Sequence, residues 1–124
     1  MMHEFSMTTQ IVESVLAEAK RRRAKKVLSI HLIIGKLSFL NPDQVRFSYK
    51  VLVEDTIMKG SRLYIKEQDA IVECPSCGYK GDIKYIDDPA YHFRFPTLSC
   101  PRCNKEVKVV GGRECTIKSM RLVV

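Results

Sequence analysis

Two Cys-x-x-Cys pairs, Cys74 with Cys77 and Cys100 with Cys103, separated by 22 residues, restrict this chain more than anything else in it. Two intervening residues let both sulfurs of a pair point at one ion from a tight turn, and a second such turn completes a tetrahedron around zinc at Zn–S distances of about 2.3 Å. Pro75 and Pro101 stand just inside each pair and Gly78 just after the first, the residue types that a sharply bent backbone needs. Four thiolates leave no open coordination position, so the site is expected to be structural rather than hydrolytic, with the metal replacing a core that so short a segment lacks. Thiol redox chemistry is the rival use of a Cys-x-x-Cys, but duplicated pairs without a surrounding βαβ pattern argue against it. Cys115, the fifth cysteine, lies on a stretch of alternating character and reads as a small buried hydrophobe.

Charge is unevenly placed. From Ile71 to Val107 there are five basic residues (Lys80, Lys84, Arg94, Arg102, Lys105) and five acidic ones (Glu73, Asp82, Asp87, Asp88, Glu106). A zinc ion with four thiolates is a net dianion, so this segment is locally anionic and the chain's net charge of +7 arises elsewhere. The densest run is Lys20, Arg21, Arg22, Arg23, Lys25 and Lys26, which at the end of a helix reads as a solvated face favoured by the helix dipole. That layout argues against a nucleic-acid partner; a zinc-ribbon nucleic-acid-binding module using this run is the alternative function, marked by steep salt dependence. Hydrophobic content of 45% and charged content of 28% over 124 residues describe one ordinary globular domain with an appendage. Apolar runs such as Leu32 to Ile34 fall far short of the ~18 residues that span a bilayer, and Met1 to Ser6 holds no charged leader followed by an apolar stretch. The expectation is a cytoplasmic protein with no membrane partner.

From Met7 to about Lys25, Ile11, Val12, Val15, Leu16 and Ala19 form the stripe of a one-sided helix, with Ser6 as its expected cap. Val27 to Ile34 then alternates as a strand, Leu28, Ile30, Leu32 and Ile34 on one face and Val27, Ser29, His31 and Ile33 on the other. Asn41, Pro42 and Gln44 supply a cap, a first-turn proline and a capping-box residue for a second helix running to about Val53. A turn at Lys59 and Gly60 precedes a strand over Arg62 to Glu67, and Gly111 with Gly112 marks a hinge before a last strand from Glu114. The fold class is α+β: two helices packed on a small three-stranded sheet, with an inserted four-cysteine zinc-ribbon-like module. The expected domains are residues 1–70 plus 108–124 and the module 71–107.

Only three histidines are present. His31 in mid-strand and His92 in the module are read as packing or surface groups, as are Tyr91, Phe93 and Phe95, which alternate with His92 and Arg94 and are expected to pack over the cysteine turns. His3 differs because it stands near an amino terminus. A free α-amine, deprotonated backbone amides and an imidazole form fused chelate rings that suit square-planar nickel(II) or copper(II), not tetrahedral zinc, and Glu4 adds an oxygen. With an α-amine pKa of about 7.7 to 8.0 such a site weakens on acidification.

Met2-His3-Glu4, the amphipathic helix after it, Gly35-Lys36-Leu37-Ser38, the Asn41-Pro42 helix start and the two Cys-x-x-Cys pairs together resemble the HypA/HybF family, over essentially the whole chain and in order. These are nickel-insertion accessory proteins for maturation of nickel-iron hydrogenases. The resemblance implies nickel ligation by Met2, His3 and Glu4 and zinc ligation by Cys74, Cys77, Cys100 and Cys103. It also implies two partners, the hydrogenase large-subunit precursor and a nucleotide-hydrolysing maturation partner of the HypB type, and no covalent catalysis by the chain itself. One departure is Met1, which precedes the family's opening methionine. Another is that some relatives place a histidine directly after a Cys-x-x-Cys pair, where this chain has Gly78 and Asn104.

Overall fold

Helix α1 (Met2–Arg21) carries Thr8, Ile11, Val12, Val15 and Ala19 on one buried stripe. It appears in a computed structural model that describes residues 2–83, 85–88 and 93–124, so that Met1, Tyr91 and His92, and with them the expected packing of Phe93 and Phe95 over the cysteine turns, lie outside the described part. The helix begins five residues before the expected start at Met7, and Ser6 lies inside it. Two threonines near the start do not break it, because Thr8 and Thr9 return their hydroxyls to the carbonyls of Glu4 and Phe5, at 2.6 and 2.8 Å. Its end also comes earlier than the expected Lys25. Arg23 takes a left-handed conformation (φ 56°), Ala24 donates to the Ala19 carbonyl and Arg23 to that of Lys20. That is the Schellman pattern, with arginine standing where glycine is usual.

Strand β1 (Lys26–Gly35) runs antiparallel to β8 (Cys115–Val123), and β2 (Arg62–Gln68) lies on its other side, giving the order β2-β1-β8. The expected alternation along β1 fails in its first half. Val27 pairs with Leu122 and Ser29 with Arg121, so Leu28 bulges out; Val27 is buried while Leu28 is 44% exposed. Beyond the bulge Ile30, Leu32 and Ile34 share the buried face as expected. Helix α2 (Pro42–Leu52) starts on Asn41, whose side chain accepts from the Asp43 and Gln44 amides, and Val45 and Tyr49 face inward. Both helices and one face of the sheet share a core built on Val15, Ala19, Val27, Ile30, Leu32, Val45 and Met58.

Two compact units result. The first is residues 1–34, 39–67 and 115–124; the second is residues 35–38 and 68–114. In the second, β3 (Ile71–Glu73) is the centre of another three-stranded sheet between β4 (Lys80–Gly81) and β7 (Lys108–Gly111), and β5 (Tyr85–Asp88) pairs with β6 (Phe93–Pro96). Nothing in the sequence announced that second sheet, whose strands are two to four residues long. Its core is small: Leu37, Ala70, Val72, Ile83 and Val107 beside Cys74 and Cys100.

Candidate metal centre

Each cysteine pair sits on a turn closed by two backbone bonds. Gly78 donates to the Cys74 carbonyl at 2.9 Å and Cys74 to that of Tyr79 at 2.8 Å; the second turn repeats this, Asn104 to Cys100 at 2.9 Å and Cys100 to Lys105 at 2.7 Å. The geometry demands a left-handed residue directly after each pair, and φ is 78° at Gly78 and 66° at Asn104. Glycine lacks a Cβ and asparagine has a short polar side chain, the two types that enter this region at least cost. In this chain the two positions directly after the pairs thus serve the backbone of the turns.

The two turns meet sulfur to sulfur. Cys74 Sγ lies 3.5 Å from Cys103 Sγ and Cys77 Sγ 3.6 Å from Cys100 Sγ, and all four ligand atoms fall within 4.8 Å of one another. A tetrahedral zinc with Zn–S bonds of about 2.3 Å has S–S edges of about 3.8 Å. The cluster therefore fits a closed structural zinc site. Backbone amides already favour ionised sulfur: the Cys77 N–H, and after it the Ser76 N–H, hold the Cys74 thiol below its usual range. At Cys100 desolvation acts upward, but the Cys103 and Arg102 amides and the neighbouring sulfurs outweigh it and bring the thiol down to about 6. Cys77 ends the other way. The Tyr79 amide favours its thiolate, yet desolvation and the sulfurs of Cys100, Cys74 and Cys103 push the thiol up to about 12. Four adjacent sulfurs cannot all ionise without a cation among them.

A pH dependence follows. Zinc binds thiolates, so it must displace at least the Cys77 proton, and each proton displaced changes apparent affinity about tenfold per pH unit. Affinity should therefore fall by about tenfold or more per unit as pH drops from 8 to 6. Chelator competition at several pH values measures it, and a flat profile would contradict the arrangement.

The other singled-out residues are placed as follows. Met2, His3 and Glu4 lie in the first turn of α1, where His3 is exposed and Glu4 is only 7% exposed. His31 stacks on Tyr64 with ring centroids 4.6 Å apart. Cys115 is part-buried against the main core, and that burial pushes its thiol up, as for a packing residue. Among the described residues no helix is long and apolar enough to cross a membrane.

The fold and the sulfur cluster define an α+β protein that carries a zinc-ribbon module on a two-helix, three-stranded unit. Its sequence narrows this further: residues 2–122 match the profile of HypA, described as "Hydrogenase/urease nickel incorporation, metallochaperone, hypA", and the chain belongs to that family. It is 38% identical over 123 residues to the hydrogenase maturation factor HypA of Methanocella arvoryzae, spanning 99% of this chain and 100% of that one. Its identity to the Methanopyrus kandleri protein of the same name is 37% over 134 residues, spanning 99% and 94%. In fold it is similar to a solution structure of HypA protein (TM-score 0.68, 21% identity, 99% and 98% covered). It is likewise similar to the Ni metallochaperone HypA from Helicobacter pylori (TM-score 0.63, 18% identity, 97% of each chain). The family handles nickel, and the maturation of hydrogenase is its setting.

Proposed function

We propose that this chain binds nickel(II) at its amino terminus, through Met2, His3 and Glu4, and delivers it to the nickel-iron hydrogenase large-subunit precursor. A HypB-type nucleotide-hydrolysing protein cooperates, and the chain itself catalyses no covalent reaction. Zinc at Cys74, Cys77, Cys100 and Cys103 is a resident structural ion; nickel is cargo.

The observation that carries this reading is the exposure of His3 in the first turn of α1. The first four amides of a helix have no intrahelical acceptor, so the His3 amide can lose its proton to nickel without breaking a helix bond. The imidazole beside it faces solvent, where cargo can enter and leave. Glu4 is buried, so its carboxylate becomes a ligand only when the first turn opens, an inexpensive event at a helix terminus. If Met1 is retained, the amine, two amides and the His3 imidazole make a four-nitrogen set, which also favours square-planar nickel.

Calorimetric titration of nickel into the zinc-loaded chain tests this. His3→Ala, and separately acetylation of the terminus, should each weaken the tight nickel site by about a hundredfold or more while the zinc content stays unchanged. Nickel affinity that survives either change would place the site elsewhere.

A further inference from the structure

We propose that the sheet face turned away from the helices is a platform for single-stranded nucleic acid, a role beyond nickel handling. Leu63, Ile65, Ile117, Met120 and Leu122 point from β2 and β8 into the core shared with the helices. Their neighbours along the strands point the other way. In β2 these are Arg62, Tyr64 and Lys66, all exposed; in β8 they include Arg121, which pairs with Ser29, and Val123, which pairs with Lys26. His31, stacked on Tyr64 at 4.6 Å, fixes the two strands' outward residues to one face.

The face is therefore chemically one-sided. Its cations include Lys26, Arg62, Lys66 and Arg121, with Lys118 also exposed on β8, and none of these is ion-paired among the described residues. The one carboxylate in the three strands is Glu67, exposed beside Lys66 near the end of β2. Between the cations Tyr64 is 43% exposed and Leu28 is 44% exposed. The basic run after α1 adjoins this surface, because the Lys25 amide donates to the Val123 carbonyl at 2.6 Å. Glu18 occupies Arg21 and Arg22, leaving Arg23, Lys25 and Lys26 as the cations of that run nearest the sheet edge. The unit bearing this sheet holds 13 basic and 7 acidic residues, the cysteine unit 8 and 7.

Charge complementarity selects the occupant. A second copy of the same face would set cation against cation. An acidic peptide would satisfy the cations but has no planar group to lie on the exposed aromatic ring. A single strand supplies both phosphates along its backbone and bases with stacking faces, and a cationic surface with an aromatic platform is what sequence-tolerant single-strand binding requires.

The test is fluorescence anisotropy of a labelled oligothymidylate of about fifteen nucleotides, within the length such platforms cover, titrated with the full zinc-loaded chain. Four phosphate contacts predict that log affinity falls against log salt with a slope of about −3. Tyr64→Ala should weaken binding roughly fivefold to a hundredfold, the measured range for loss of one stacked base. Arg62→Glu with Arg121→Glu should weaken it more and flatten the slope, whereas Lys50→Glu on α2 should leave it unchanged. All three cationic positions are exposed, so thermal melts and zinc content should stay as in the parent chain; if Tyr64→Ala disturbs the sheet, the charge reversals decide. Absence of binding at low salt, wild-type affinity in the reversal variant, equal affinity for a duplex, or equal displacement by polyglutamate would overturn the proposal. The last of these results would indicate an acidic protein partner.

Discussion

Stripping zinc from the chain with a chelator is expected to melt residues 68–114 while α1, α2 and the β2-β1-β8 sheet keep their structure. The reason is the size of the second unit's core. Five apolar residues, two of them valine and one alanine, are buried there beside Cys74 and Cys100, and its sheet strands are two to four residues long. Burying a Leu, Ile or Val side chain contributes about 1.5 to 3 kcal/mol each, while ordering each residue costs about 1 to 2 kcal/mol in backbone entropy. A core that small cannot hold the segment. A structural zinc adds about 10 to 16 kcal/mol of apparent binding energy, and where no site exists in the unfolded chain that energy is folding energy. The first unit has its own core, with thirteen buried residues among those described and no cysteine among the thirteen.

Amide hydrogen exchange before and after chelation measures the outcome. Protection across β3, β4 and β7 should collapse towards that of free chain, and protection in α1 and β1 should persist. Cys100→Ser should reproduce this without a chelator. Cys115→Ser should not: its thiol is part-buried against the other core, and the change should cost about 1 kcal/mol with zinc retained. A zinc-free chain still protected over residues 68–114 would show that packing, not metal, holds the module.

What could be read from the sequence shares one property: the information is local. Cys-x-x-Cys spacing determines a turn by itself, and Asn41-Pro42 sets a cap whose partners lie two and three residues away. The misreadings have causes further off. The phase of β1 changes at Leu28 because of its pairing with β8 some ninety residues later, and no window on β1 alone contains that. The start of α1 is masked by Ser6, which resembles a cap, but Thr8 and Thr9 satisfy themselves on the preceding turn and the helix continues back to Met2. That shift matters for function, since it puts His3 on a helix rather than on a free tail. At the metal centre, Gly78 and Asn104 did carry a signal. Both are residue types that accept φ above zero, both directly follow a pair, and the repetition could have been read as two equivalent turns. The open sheet face was invisible for another reason. Arg62, Tyr64 and Lys66 are an ordinary outward set until His31 and Arg121 are brought beside them by pairing.

Gly35 shows how completely a long-range contact can hide, and its replacement should be among the most damaging single changes in the chain. A Cβ built there would stand 2.0 Å from the Gly112 carbonyl oxygen, 2.2 Å from its carbon and 2.8 Å from the Arg113 nitrogen. All three are backbone atoms, so no rotamer change relieves the clash. Nor can the strands separate cheaply, because the Gly35 amide donates to the Glu114 carbonyl and the Leu37 amide to the Gly112 carbonyl, both at 2.7 Å. Gly112 is itself confined: its φ is 100°, and it lies against Ala70, whose Cα would meet a Cβ there at 2.7 Å. Gly35→Ala must break these paired bonds or displace a crossing that is packed on both sides. The expected cost is about 3 kcal/mol or more, the upper range for overpacking, since a buried amide loses its partner as well. Urea unfolding of the zinc-loaded chain should show this as a lower midpoint. Because the four cysteines lie away from the crossing in sequence, the variant should still bind one zinc at saturating metal, which separates loss of the crossing from loss of the metal site. A midpoint within error of the parent chain would mean that the two segments do not cross as closely as the fold places them.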